Sequence, residues 1–189
     1  MDHMVYLDNA ATTQCAKEAL DAMLPYFTEQ YGNASSIYQL GAQSKKAITN
    51  ARDIIAKSLN TDGAEIYFTA GGSESDNWAL IATAEAYAAK GKHIITSRIE
   101  HHAVLHTCQY LEKRGYEVTY IDVDEDGVIR LEDLKKAIRP DTILISVMFA
   151  NNEIGTIQPV EEAAKLVHST VPGAVCHVDA IQAYGKYVI

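Results

Sequence analysis

Four short polar segments follow apolar runs, and their residue types are those that handle anions and protons. Ala70-Gly71-Gly72-Ser73-Glu74-Ser75 follows residues 66–69. Two glycines ahead of a helix let backbone N–H groups close around an anion, the helix N-terminus adds partial positive charge, and Ser73 adds a hydroxyl. A phosphate cradle and a plain serine-capped turn both fit this segment. A Walker loop does not, because no Lys-Ser/Thr follows, and the G-x-G-x-x-G dinucleotide fingerprint is absent. Arg98-Ile99-Glu100-His101-His102 follows His93–Ser97. An imidazole there can lie on an aromatic ligand and move protons near neutral pH, or be an ordinary polar loop residue. Ala150-Asn151-Asn152-Glu153-Ile154-Gly155 offers amide donors for a carboxylate or phenolic oxygen, or simply a turn. In Asp179-Ala180-Ile181-Gln182, a carboxylate ends an apolar run. Such a group costs desolvation energy unless a cation or donor meets it, so Asp179 is read as a ligand residue ahead of a helix cap.

Two other spacings imitate metal sites. His102 and His106 are four apart, but Ala103, Val104 and Leu105 stand between them where H-E-x-x-H needs a glutamate. Asp122-x-Asp124-x-Asp126-Gly127 matches the first half of a calcium loop, yet the twelfth position is Asp133 and the incoming segment reads as a strand. A polar turn explains it, and no metal site is expected. Cys15, Cys108 and Cys176 are odd in number and widely spaced, which argues for reduced cysteines rather than a disulfide framework or zinc ribbon. The net charge of −9 disfavours nucleic acid as a partner. No polybasic cluster or long apolar run points to a membrane, and no signal peptide is read at the N-terminus. The location expected is cytoplasmic.

The elements that must position these residues alternate strictly. Short strands are expected at 5–7, 66–69, His93–Ser97, Glu117–Ile121, 142–149 and 175–178. Helices are expected at 17–28, 42–59, 73–90, 103–114, 131–139 and 159–168, each marked by apolar spacing or by Gly and Pro punctuation. Ser73 with Asp76 resembles a capping box, and the apolar surface of the helix that follows suggests burial. Residues 142–149 form a continuous apolar run, as in a strand covered on both faces of a parallel sheet. The expectation is an α/β fold with a mainly parallel sheet between helices, in three layers. Its ligands would sit at the carboxyl ends of the strands.

Read together and in order, the motifs are specific. They are Tyr6-Leu7-Asp8-Asn9-Ala10-Ala11-Thr12-Thr13, Gly32-Asn33-Ala34-Ser35-Ser36, Gly72-Ser73-Glu74-Ser75-Asp76-Asn77, Glu100-His101-His102-Ala103-Val104, Asn151-Asn152-Glu153-Ile154-Gly155 and His177-Val178-Asp179-Ala180-x-Gln182. This series resembles the cysteine desulfurases of the NifS/IscS type, within the class-V aminotransferase group of fold-type I pyridoxal-phosphate enzymes. The resemblance implies pyridoxal 5'-phosphate as cofactor. Gly72 and Ser73 would hold its phosphate. His101 would stack on its ring and take part in proton transfer. Asp179 would bind the ring nitrogen, Gln182 the phenolic oxygen, and Asn152 would lie near that oxygen and the substrate carboxylate. Ala34 replaces a proline common in the family, and Thr69-Ala70-Gly71-Gly72-Ser73 stands for the commoner Thr-Ser-Gly-Ala-Thr. Neither change removes a donor.

The resemblance further implies conversion of L-cysteine to L-alanine, with sulfur passed as an enzyme persulfide to an acceptor protein for iron–sulfur cluster assembly, by a homodimer. A related class-V transaminase, a selenocysteine lyase or a non-catalytic cofactor-binding fragment are the alternatives. Residues 1–30 would be an N-terminal segment and 31–189 the leading part of the large cofactor-binding domain. The Schiff-base lysine, the nucleophilic cysteine and the C-terminal domain of the family have no counterpart in these residues. Lys186 and the three cysteines do not correspond to them, so the 189-residue chain alone is expected to be inactive.

Overall fold

The computed structural model describes residues 4–187, in two compact units that divide between Phe68 and Thr69. In the first unit, residues 5–7 form no strand and are exposed. The expected helix at 17–28 is two helices, α1 (Lys17–Met23) and α2 (Pro25–Thr28), because Pro25 has no N–H to continue the ladder and instead starts the second. The long helix α3 spans Gln39–Ser58 and starts three residues earlier than its apolar spacing indicates. The loop before it lies against its first turn. A Cβ on Gly41 would come 2.5 Å from the Ser36 carbonyl oxygen and 2.6 Å from that of Asn33, so the glycine permits this close approach. Asn60, at φ 51°, ends α3, and Asp62 with Glu65 forms a capping box on the short 3-10 turn Gly63–Glu65. Residues 66–69 were expected to pair as a strand, but they belong to none of the sheet's strands.

The second unit is a three-layer α/β fold. Its elements run α4 (Gly72–Tyr87), β1 (His93–Ser97), α5 (His102–Glu112), β2 (Glu117–Ile121), α6 (Leu131–Ala137), β3 (Thr142–Ser146), α7 (Val160–Thr170) and β4 (Val175–His177). The strands are all parallel and ordered β2-β1-β3-β4. Ile94 and Leu144 face α4 and α5, packing with Leu80, Ala84, Val104, Cys108 and Leu111. Ile95 and Ile145 face the other way, into a core shared with Leu134 of α6 and Ala163 and Val167 of α7. Both faces of β3 are therefore covered, as its unbroken apolar sequence requires.

Three local expectations change. The cap of α4 is Gly71, with no side-chain bond, and Ser73 lies inside the helix. The capping box read from Ser73 and Asp76 does not form, because the second glycine has already entered helical geometry. That helix is buried along one stripe only: Leu80 and Ala84 are inside while Trp78 is 51% exposed. The regular pairing of β3 ends at Ser146, but the amides of Val147 and Phe149 still donate to the carbonyls of His177 and Asp179, at 3.2 and 2.8 Å. The polar run from Asp122 is a turn at 124–127, and residues 131–133 already belong to α6. Asp124 Oδ1 accepts from the amides of Asp126 and Val128, and Gly127 has φ 78°. Among the described residues no helix is long and apolar enough to cross a membrane, and no three His, Cys, Asp or Glu side chains are grouped to hold a metal ion.

The amino edge of the sheet is closed by polar groups that satisfy one another. His93 is fully buried, with Nδ1 2.8 Å from the Thr142 hydroxyl and Nε2 2.8 Å from that of Thr119. Desolvation lowers its pKa below the ordinary value. Its stabilising contribution is therefore complete above about pH 6.5, the unfolded value, and drains as pH falls through the lower folded value. Between pH 8 and pH 5.5, urea unfolding should show a loss of stability that is smaller in His93→Gln. Leu144→Ala should cost about 3 kcal/mol by the same measurement, because Leu144 is completely enclosed between layers.

Candidate functional site

The strand order reverses between β1 and β3. The chain steps outward from β1 to β2, then crosses back to lay β3 on the other side. The carboxyl ends of β1 and β3 thus diverge into loops on either side of a crevice, the usual ligand position in an open α/β sheet. Three of the four polar segments follow β1, β3 and β4, and the start of α4 supplies the fourth.

At α4, the Gly71 carbonyl accepts from the amides of Glu74 and Ser75, both at 3.1 Å. The amides of Gly72 and Ser73 come too early in the helix to have an intrahelical acceptor. A Cβ on Gly72 would sit 1.8 Å from Ile181 Cδ1, so the loop after β4 approaches the helix start closely at the glycine. The exposed Ser73 hydroxyl and His101 line one cleft of about 510 Å3, with Asn77, His102, His106 and Tyr110 among its other walls.

His101 caps α5. Its Nδ1 accepts the Ala103 N–H at 3.1 Å, which puts the proton of the neutral ring on Nε2. The preceding residue, Glu100, is buried beneath it. Oε1 accepts from the Ser97 hydroxyl at 2.6 Å and from the Met148 amide at 2.9 Å, joining the ends of β1 and β3. Asn151 makes a second tie between the same loops, donating to the Ile99 carbonyl at 2.8 Å, while its Oδ1 accepts the amides of Glu153 and Ile154.

Asp179 follows β4 and is 5% exposed. Its Oδ1 accepts the Ile181 amide at 3.0 Å. Burial raises its pKa, Asp76 pushes the same way, and the Ile181 amide, His177 and His101 oppose them. Asp76, on α4, is 4% exposed and lies 3.5 Å from His177 Nε2, whose other ring nitrogen meets the Ser146 hydroxyl at 2.9 Å. Asp179, Asp76 and Glu100 are thus all buried at the carboxyl edge of the sheet, where His101 begins α5. Asn152 and Gln182 are half-buried and, like Gly72 and Asp179, do not line that cleft. Gln182 Oε1 accepts from Lys186 Nζ at 2.6 Å.

Glu100, Asp76 and His177 were not picked out as site residues by residue type and spacing, whereas Asn151 lies in the segment read as a set of amide donors. Glu100, Asp76 and His177 lie within the motif segments, but their burial depends on which loops meet. The donor set suits a phosphorylated aromatic cation: helix-end amides and a hydroxyl for an anion, an imidazole face, and a buried carboxylate for a protonated ring nitrogen.

Comparison with known proteins agrees in one direction. The chain is 57% identical over 185 residues to a cysteine desulfurase IscS of Methanosarcina thermophila, covering 98% of this chain and 45% of that relative. A solved NifS-like protein superimposes with a TM-score of 0.96 at 42% identity, covering 98% of this chain and 51% of the other. A second solved structure, SspA in complex with cysteine, gives 0.93 at 38% identity, covering 97% and 52%. The chain thus spans about half the length of the proteins it resembles. The aminotransferase class-V family matches residues 5–189, and the chain belongs to that family.

Proposed function

We propose that this chain supplies the cofactor-holding part of a pyridoxal-phosphate-dependent cysteine desulfurase. The observation that carries the proposal is the buried Asp179 just after β4, at the same carboxyl edge of the sheet as His101, which shares a cleft with Ser73. A carboxylate in that position favours a cation beside it, and a protonated pyridine nitrogen is such a cation. Bound pyridoxal 5'-phosphate would supply an electron sink for the substrate Cα.

The residues divide the work. The amides of Gly72 and Ser73 and the Ser73 hydroxyl hold the phosphate at the positive end of α4. His101 lies against the ring, and with Nδ1 engaged by Ala103 it has Nε2 to carry a proton. Asp179 keeps the ring nitrogen protonated. Gln182 would serve the phenolic oxygen, and Asn152 would serve that oxygen and the substrate carboxylate. L-cysteine as substrate is supported by the cysteine-bound relative and by the desulfurases at above half identity. A sulfur-acceptor protein, a homodimeric assembly and a cytoplasmic location complete the reading, with residues 31–189 acting as the leading part of the cofactor domain.

Asp179→Ala should damage chemistry more than binding. The phosphate and stacking contacts remain, so pyridoxal-phosphate affinity of the 189-residue chain, read by equilibrium dialysis, should fall by less than about tenfold. In the enzyme that contains this region, alanine formation from cysteine should fall by about 100-fold or more. Near-normal alanine formation would remove Asp179 from the catalytic role. The 189-residue chain alone should bind the cofactor reversibly and release no sulfide from cysteine, and adding a separately made C-terminal piece should restore some release. Robust turnover by the chain alone would overturn the assignment of the absent lysine and cysteine.

A further inference from the structure

Glu100 is the least expected group in the molecule. It is 5% exposed, and its Oε2 is buried with no hydrogen-bond partner. Burial pushes its carboxyl up to about 7, with Asp179 and Asp76 adding to the rise and the bonds from Ser97 and Met148 opposing it. An orphaned buried oxygen among other acids is destabilising, and an apolar residue of similar size would remove that cost. Local stability therefore does not explain the choice of side chain.

Its geometry does. Oε1 is the acceptor of two donors from different strand ends, Ser97 of β1 and Met148 beyond β3. These two strands flank the point where the strand order reverses, so the bond pair sets the spacing of the two loops that open there. The residue after Glu100 is His101, whose ring is oriented by the Ala103 amide at the start of α5. Fixing Glu100 fixes the backbone entering that cap. Asn151 alone cannot do this, because its tie to the Ile99 carbonyl holds the loop one residue earlier, its contact with Met148 is to the side-chain sulfur at 3.5 Å rather than to the backbone amide, and it makes no bond to Ser97.

We propose that Glu100 is a positioning residue: by clamping the ends of β1 and β3 through a single carboxylate oxygen, it sets the orientation of the His101 imidazole over the ligand cleft. Glu100 itself lies outside the cleft lining and acts through His101. The proposal rests on the cofactor reading above for its consequence, but not for its geometry.

The test uses the 189-residue chain with two independent readouts. The first, without ligand, is NMR of the His101 imidazole together with hydrogen exchange at the Ala103 and Met148 amides. Glu100→Ala should shift the His101 ring signals and speed exchange at both amides. Glu100→Gln keeps an acceptor oxygen and should stay close to wild type in both. The second is pyridoxal-phosphate affinity in a double-mutant cycle. Glu100→Ala and His101→Ala should each weaken binding by about tenfold, and the double variant should be no weaker than His101→Ala alone. Glu100→Gln should bind within about twofold of wild type.

Unchanged His101 signals in folded Glu100→Ala would overturn the proposal, as would losses that add in the double variant. A fall in unfolding midpoint with neither effect would also overturn it, since it would mark a purely structural role. If Glu100→Ala fails to fold, Glu100→Leu, which conserves volume and removes the acceptor, gives the same readouts. Shifted His101 signals in Glu100→Ala, together with no pyridoxal-phosphate binding by the wild-type chain, would keep the clamp and sink the cofactor reading.

Discussion

Three carboxylates, those of Asp76, Glu100 and Asp179, are held out of water at one edge of a four-stranded parallel sheet. Charge in that environment costs several kcal/mol unless a partner meets it, and Asp76 adds to the cost at both Glu100 and Asp179. Asp76 leans on His177, Glu100 on Ser97 and the Met148 amide, and Asp179 on the Ile181 amide. Two of their oxygens, Asp76 Oδ2 and Glu100 Oε2, still find no partner. The surrounding structure is arranged to hold these groups in place despite that cost. Two complete apolar cores, one on each face of the sheet, supply the rigidity.

At the opposite edge of the same sheet the polar groups satisfy one another. His93 is enclosed between two threonine hydroxyls, and Arg139 bridges Glu117 and Asp141 at 2.5 and 2.7 Å. There the polar groups complete one another, and the result is a closed, neutral seam at His93 with a surface ion-pair network beside it. The contrast is between a satisfied amino edge and an under-satisfied carboxyl edge, where the proposed site lies. Perturbed carboxyls beside a cleft are the electrostatic mark of such a site.

Most of the alternation was legible before any coordinates. β1 and β2 were read to the residue, and α5, α7 and β3 to within a few, because apolar periodicity and the glycines and prolines between elements are local properties. The errors had two origins, a missing strand partner and local backbone chemistry. Residues 5–7 and 66–69 carry strand-like side chains, but a strand exists only through its neighbour, and no spacing names that neighbour. Pro25 broke a helix whose apolar stripe continued past it. At α4, Gly71 displaced Ser73 as the cap because helix entry depends on backbone geometry that the serine side chain does not control.

By itself the sequence determined the order of elements, the continuous burial of β3 and the residue types at each strand end, and those types point to anion, ring and proton chemistry. Only the tertiary structure decided which strand ends are adjacent. Strand order is set by crossovers between residues dozens apart, so the reversal between β1 and β3, and with it the joining of Glu100 to Met148, is invisible to periodicity. Burial of a carboxylate is likewise a property of everything packed around it. Asp179 could be suspected because it ends an apolar run, whereas Glu100, in a polar loop, acquired its enclosed and partly unpartnered state only when two loops closed over it.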